Sequence, residues 1–166
     1  MSVSDTSSDS PDLGRVMDRL RRACSRREYC TSDIKRKLSL SGCAEYADKA
    51  ITSLKEEGFL DDARYAIAYC RDKSGLSGWG AAKIRYSLSA KGIPGDLIDE
   101  ALSMLDNASC AKRLDAIVAG KWSEIIRRHP DVSRQERMAR LLRFACGRGY
   151  SYAEIMESVE RNGFLE

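Results

Sequence analysis

The sequence predicts an all-α protein made of three tandem three-helix repeats. Apolar residues recur at helical spacing between glycine breaks, in intervals dominated by Ala, Leu, Arg, Lys and Glu, and the chain holds only 3 prolines. It has no alternating run of valine, isoleucine and threonine of the kind a half-buried strand needs. The third observation is an internal match. Ile34, Leu38 and Gly42 return as Ile84, Leu88 and Gly92, a constant shift of 50 that also carries Arg21 onto Arg71 and Tyr29 onto Trp79. A period of that size, in units too small to hide their own apolar faces, marks stacked helical repeats.

Residues 1–12 are rich in Ser and Asp, with a single isolated valine, and predict a disordered tail. A first repeat, 13–60, begins at Ser10-Pro11-Asp12, with the serine as helix cap and the proline in the first turn. Its first helix turns Leu13, Val16, Met17, Leu20 and Cys24 inward and Arg15, Arg19, Arg22 and Arg26 outward. A second helix, Thr31 to Ser41, buries Ile34 and Leu38, presents Lys35, Arg36 and Lys37, and stops at Gly42. The third, Ala44 to Glu57, ends at the joint Gly58-Phe59-Leu60-Asp61-Asp62-Ala63-Arg64. There Gly58 closes the helix and Phe59 and Leu60 pack back onto it. Asp61 caps the next helix, and Asp62 adds charge at its positive end.

The second repeat, 61–106, reads as a helix from Asp62 to Lys73, a flexible turn of Gly75, Ser77, Gly78 and Gly80 around Trp79, and helices Ala81–Lys91 and Pro94–Leu105. The third, 107–166, is more divergent. Its first helix carries Ala111, Leu114, Ile117 and Val118, meets a breaking glycine at Gly120, and continues through Trp122, Ile125 and Ile126 to His129-Pro130. Ser133 with Glu136, and Ser151 with Glu154, are spaced as capping boxes for the two helices that follow. Gly92 then corresponds to Gly149 at a shift of 57, while Tyr29, Ile34 and Gly42 also match Tyr150, Ile155 and Gly163 at 121. The shift of 57 is preferred because it gives every unit three helices.

With 166 residues and 43% hydrophobic content the chain can bury a core or several small ones. The net charge is +3, and because Asp5, Asp9 and Asp12 are unopposed in the tail, the remainder carries +6. That mild excess suits contact with nucleic acid or an acidic protein groove. No apolar run approaches the roughly 20 residues of a membrane span, and the N-terminus lacks the basic and apolar parts of a signal peptide, so the cytoplasm is expected. The 6 cysteines form no CxxC pair and His129 is the single histidine, so neither metal nor cofactor is expected and the thiols should be reduced and largely buried.

No catalytic constellation emerges, and the expectation is a protein that is not an enzyme. His129 precedes a proline at a helix end, where a surface or capping role suits it better than that of a base. Gly75-x-x-Gly78-x-Gly80 follows no strand and precedes no Gly-Lys-Ser, so it is not a phosphate loop. The candidate binding residues are basic and lie on the middle helix of each repeat: Lys35, Arg36 and Lys37, then Lys83, Arg85 and Lys91, then Arg140 and Arg143. Arg71 joins them from the preceding helix. Stacked repeats would align these helices into a broken basic stripe that could meet phosphates or an acidic groove.

Taken together, Arg27-Glu28-Tyr29, Ile34 to Leu38, Gly42, Gly58-x-Leu60-Asp61-Asp62-x-Arg64-Tyr65-Ala66, Gly78-Trp79-Gly80, Lys83-Ile84 to Leu88, Lys91-Gly92-Ile93 and Arg148-Gly149-Tyr150 resemble the RecX family, bacterial regulators of the recombinase RecA. The resemblance runs from about Val16 to Leu165. It implies an elongated, curved helical array, a monomer, that lies in the groove of the RecA filament on single-stranded DNA. It also implies inhibition of filament extension, strand exchange, ATP hydrolysis and coprotease activity, and a place in recombination, DNA repair and the SOS response. Contact with single-stranded DNA would be weak or made through RecA. Cys30 departs from the family's usual capping serine, which moves the expected cap to Thr31 or Ser32. The family brings no catalytic residues. The alternatives are a helical-repeat module acting directly on DNA without RecA, and a small hydrolase using Cys24 or Cys146.

Overall fold

The structure, a computed structural model, describes residues 12–165, and among these it contains nine α-helices and no strand. The chain divides into two compact units, Met1–Tyr65 and Ala66–Glu166. The expected tail falls, for residues 1–11, outside the described residues.

The first unit holds α1 (Leu13–Cys24), α2 (Thr31–Leu40), a 3-10 turn (Ala44–Tyr46) leading into α3 (Ala47–Glu56), and the start of α4 (Asp62–Gly75). The cap of α1 is Asp12, since its carboxylate accepts the amide hydrogens of Gly14 at 3.0 Å and Arg15 at 3.4 Å, and the expected cap, Ser10, lies outside the described residues. Val16, Met17, Leu20 and Cys24 then meet Ile34, Leu38, Ile51, Leu54 and Leu60 in one core.

The joint after α3 folds as its residue types dictate. Gly58 adopts φ 77°, open to glycine at no steric cost, and the turn lets the amides of Phe59 and Leu60 both reach the Leu54 carbonyl at 2.9 and 3.1 Å. Leu60 is thereby driven into the core. Asp61 caps α4 by accepting from the Arg64 amide at 3.0 Å. Asp62 does more than add charge to its own helix: it accepts from the Thr31 amide at 2.7 Å and the Thr31 hydroxyl at 2.6 Å, with Lys55 at 3.2 Å. It therefore caps α2 from a distant part of the chain. Cys30 itself occupies the position before α2, and its amide donates to Asp33 at 3.5 Å, so the expected move of the cap to Thr31 or Ser32 does not occur. Arg64 closes the knot by donating to Glu28 at 2.6 Å and to the Gly58 carbonyl at 3.2 Å.

The second unit continues α4 and adds α5 (Ala81–Ala90), α6 (Gly95–Ser103), α7 (Asn107–Arg128), α8 (Arg134–Gly147) and α9 (Tyr152–Arg161). Gly120 does not break α7, which runs 22 residues as one helix with open space where a side chain at Gly120 would stand. Gly75 belongs to α4, and the loop after it is tied down rather than flexible. The Gly80 amide donates to the Arg148 carbonyl at 2.8 Å and the Ala82 amide to the Gly149 carbonyl at 3.2 Å. Arg148 reaches back to the Ser77 carbonyl at 2.9 Å.

This junction has a simple physical basis. The last carbonyls of one helix and the first amides of another lack partners within their own helices, and here the end of α8 supplies the start of α5. Only glycine permits so close an approach: a Cβ on Gly80 would lie 2.3 Å from the Gly149 oxygen, and one on Gly149 2.4 Å from the Lys83 Cβ. Gly149 also sits at φ 91°. Gly78-Trp79-Gly80 and Arg148-Gly149-Tyr150 are thus two sides of one backbone contact.

Beyond it, Leu114, Val118, Ile125, Leu141, Ala145, Tyr150, Ile155 and Val159 form the core of α7, α8 and α9, with Trp122 stacked on Phe164 at 5.2 Å. Ser151 and Glu154 make the expected capping box. Ser133 accepts from the Glu136 amide at 3.2 Å, but the Glu136 carboxylate turns to Arg140 at 2.9 Å, leaving that box half made.

Candidate nucleic-acid interface

The basic candidates separate into groups once their surroundings are known. In the first unit, Lys35 and Arg36 are exposed on α2; Arg36 lies 3.8 Å from Asp33, an exposed pair of small energetic weight. Lys37 is half-buried because its ammonium sits 4.9 Å above the Tyr29 ring, which Arg27 also covers at 4.5 Å.

In the second unit, Arg71 is exposed on α4. Its counterpart by internal match, Arg21, is held by Glu57 at 2.7 Å, but position 107 has Asn where the match to Glu57 would fall, so that acidic partner is missing. Lys83 belongs to the junction: its ammonium lies 4.5 Å over the Trp79 ring and donates to the Gly147 carbonyl at 3.3 Å, while Lys73 approaches the same indole at 4.9 Å. Arg85 is paired with Asp99 at 2.6 Å. Lys91 is half-buried at the end of α5.

Arg140 and Arg143 share a cavity. They stand one turn apart on α8 and line a cleft of about 390 Å³ with Lys121, Glu124, Ile125, Arg128, His129 and Phe144. Lys121 and Arg128, two turns apart on α7, were not singled out from the sequence. Their i, i+7 spacing put them on one helix face, a signal masked by the expected break at Gly120. Glu124 sits between them, 3.0 Å from Lys121 and 3.2 Å from Arg128. The Lys121 hydrogen bond, outweighing partial burial, holds its carboxyl below the ordinary glutamate range. Arg140 pairs with Glu136, whereas Arg143 has no acidic partner among the described residues. His129 closes α7 as its C-cap, the role expected of it.

Four of the six thiols, Cys24, Cys30, Cys43 and Cys70, are buried, and all six are unbridged. Burial pushes the Cys70 thiol up to about 11 and raises Cys24 as well, the opposite of what a nucleophile requires. Among the described residues no group of three or more His, Cys, Asp or Glu side chains is placed to hold a metal, and no helix is long and apolar enough to cross a membrane.

Comparison with known proteins gives a consistent result. A family profile described as RecX, second three-helix domain, matches residues 61–102. A Clostridium botulinum protein named regulatory protein RecX is 38% identical over 128 residues, covering 76% of this chain. The chain spans 58% of the length of that relative. An Escherichia coli protein of the same name is 26% identical over 166 residues, covering 93% of this chain and 96% of its own length. Among solved structures, one of a regulatory protein RecX superposes with TM-score 0.77 at 22% identity, over 89% of this chain and 72% of the other. RecX from Lactobacillus salivarius gives 0.74 at 18%, over 92% and 97%. These two likenesses concern the fold.

Proposed function

The chain belongs to the RecX family, and from that premise we propose that it is a non-enzymatic regulator that binds the RecA filament on single-stranded DNA and restrains it. The observation that carries this reading is the match to the Escherichia coli regulatory protein, which runs over nearly the whole of both chains. In this reading the protein is a cytoplasmic monomer of three repeats, 13–60, 61–106 and 107–166, and it limits filament extension, strand exchange, ATP hydrolysis and coprotease activity. Exposed cations on the middle helices, Lys35, Arg36, Arg85 and Arg143 among them, supply contacts to phosphates or acidic side chains. Lys83 contributes by fixing the junction between α5 and α8, the helices of Arg85 and Arg143.

The test is RecA ATP hydrolysis on single-stranded DNA, with this protein added well below the RecA concentration. Inhibition at that ratio is expected, because a regulator acting on filaments affects many subunits per molecule bound. Competition for DNA alone would require amounts comparable with the free DNA sites. Loss of hydrolysis only under those conditions would favour the helical module that acts on DNA without RecA.

A further inference from the structure

We propose that the cleft between α7 and α8 is a phosphate-binding site for single-stranded DNA, in which Arg128, Arg140, Arg143 and Lys121 receive the backbone of one or two nucleotides. Its biological setting rests on the filament reading above, but the site stands on its own chemistry.

Four cationic side chains and one carboxylate, Glu124, line a concavity of about 390 Å³, and a second carboxylate, Glu136, pairs with Arg140 from outside that lining. The carboxylates do not cancel the site; they organise it. Glu124 braces Lys121 and Arg128 on α7, and Glu136 holds Arg140 on α8, so the cations are oriented before any ligand arrives. Arg143, exposed and without an acidic partner among the described residues, is left to meet an incoming anion. Three of the four cations are arginines, whose planar forks match a phosphate through paired hydrogen bonds and are weakly hydrated, which favours phosphate over simple solvation.

The apolar part of the lining is Ile125 and Phe144. A sugar can rest there. The Phe144 ring, however, already has the Lys121 ammonium and the Arg148 guanidinium each 4.8 Å away, so it is not a platform on which a base stacks. Single-strand binders that stack bases on aromatic rings gain affinity from that contact. Here binding depends on charge, with little preference among bases. An acidic protein segment would meet the same cations, and it is the rival occupant.

The experiment uses the full chain and a short fluorescein-labelled thymidine oligomer, without RecA, read by fluorescence anisotropy between about 50 and 200 mM salt. Arg128→Gln with Arg143→Gln should lower affinity about 5-fold per residue near 0.1 M salt and reduce the slope of log affinity against log salt by about 1.4, at about 0.7 for each phosphate no longer neutralised. Arg19→Gln with Arg22→Gln removes the same charge from exposed positions on α1 and should change affinity less than about twofold. Equal losses in the two pairs, or no loss in the first, would overturn the site. So would displacement of the oligomer by polyglutamate as readily as by unlabelled DNA. All four residues are exposed, and unchanged helical circular dichroism identifies the variants as folded. Because RecA is absent, failure here leaves the filament reading standing, and failure of RecA inhibition leaves this site standing.

Discussion

Replacing Gly80 by alanine adds a single methyl group where two backbone segments touch. That methyl would stand 2.3 Å from the Gly149 oxygen, 2.4 Å from the Gly149 carbonyl carbon and 2.6 Å from the Tyr150 nitrogen. These are main-chain atoms that cannot rotate aside, so the contact must open. Opening it forfeits the bonds from Gly80 and Ala82 to the Arg148 and Gly149 carbonyls, at 2.8 and 3.2 Å. Each such bond contributes about 1 kcal/mol net, and overpacking typically costs about 1–3 kcal/mol. The expected loss is therefore about 3–5 kcal/mol, a large share of a typical domain stability of about 5–15 kcal/mol. Urea unfolding followed by tryptophan fluorescence measures it well, because both tryptophans, Trp79 and Trp122, lie in the second unit. Gly120→Ala is the contrast: it sits inside α7 with open space around its Cβ, and alanine there should stabilise by about 0.5–1 kcal/mol. If Gly80→Ala unfolds within about 0.5 kcal/mol of the parent protein, the tight junction is not what holds these helices together.

Three further outcomes are expected. Leu88 is fully buried on α5, and Leu88→Ala should cost about 2–5 kcal/mol by the same fluorescence measurement; a loss under about 1 kcal/mol would mean the site collapses to fill the cavity. Asp62→Ala removes the bonds to Thr31 and the pairing with Lys55, and should destabilise the first unit by about 1–3 kcal/mol with faster amide exchange at the start of α2, whereas unchanged exchange there would refute the capping role. Hydrogen bonds from Arg21 and then Ser53 bring the Glu57 carboxyl down to about 2. Because the folded value lies below the unfolded one of about 4.3, the stability it contributes is present above that value and lost as pH falls toward 2. A carbon-detected titration should show the Glu57 midpoint rising into the ordinary range in Arg21→Gln; an unmoved midpoint would show that Arg21 is not its partner.

How much of this was legible in the sequence depended on whether the cause was local. The helices on Ile34 and Leu38, and on Ile84 and Leu88, announce themselves through spacing, and the Ser151–Glu154 box is written in a four-residue pattern. Gly58 and Asp61 act on neighbours a few positions away, so their roles could be read directly. Asp62 could not be read fully, because its partner Thr31 lies across a whole helix pair. Gly80 and Gly149 looked like parts of separate turns, since nothing in either stretch signals that their backbones meet. Gly120 misled in the opposite sense: glycine weakens an isolated helix, but the packing of Val118 and Ile125 on either side keeps α7 continuous. The basic stripe rests on the middle helices, with Arg71 its one addition, and so passes over Lys121 and Arg128, which join Arg140 and Arg143 from the neighbouring helix.

The proposed binding to RecA filaments is open to a co-sedimentation test. Labelled protein is mixed with RecA filaments preassembled on single-stranded DNA, and in parallel with the same DNA without RecA, at about 0.15 M salt, where exposed charge contacts are screened. It should pellet with the filaments and remain largely in solution with bare DNA. Equal sedimentation with and without RecA would contradict filament binding and assign the protein to DNA alone.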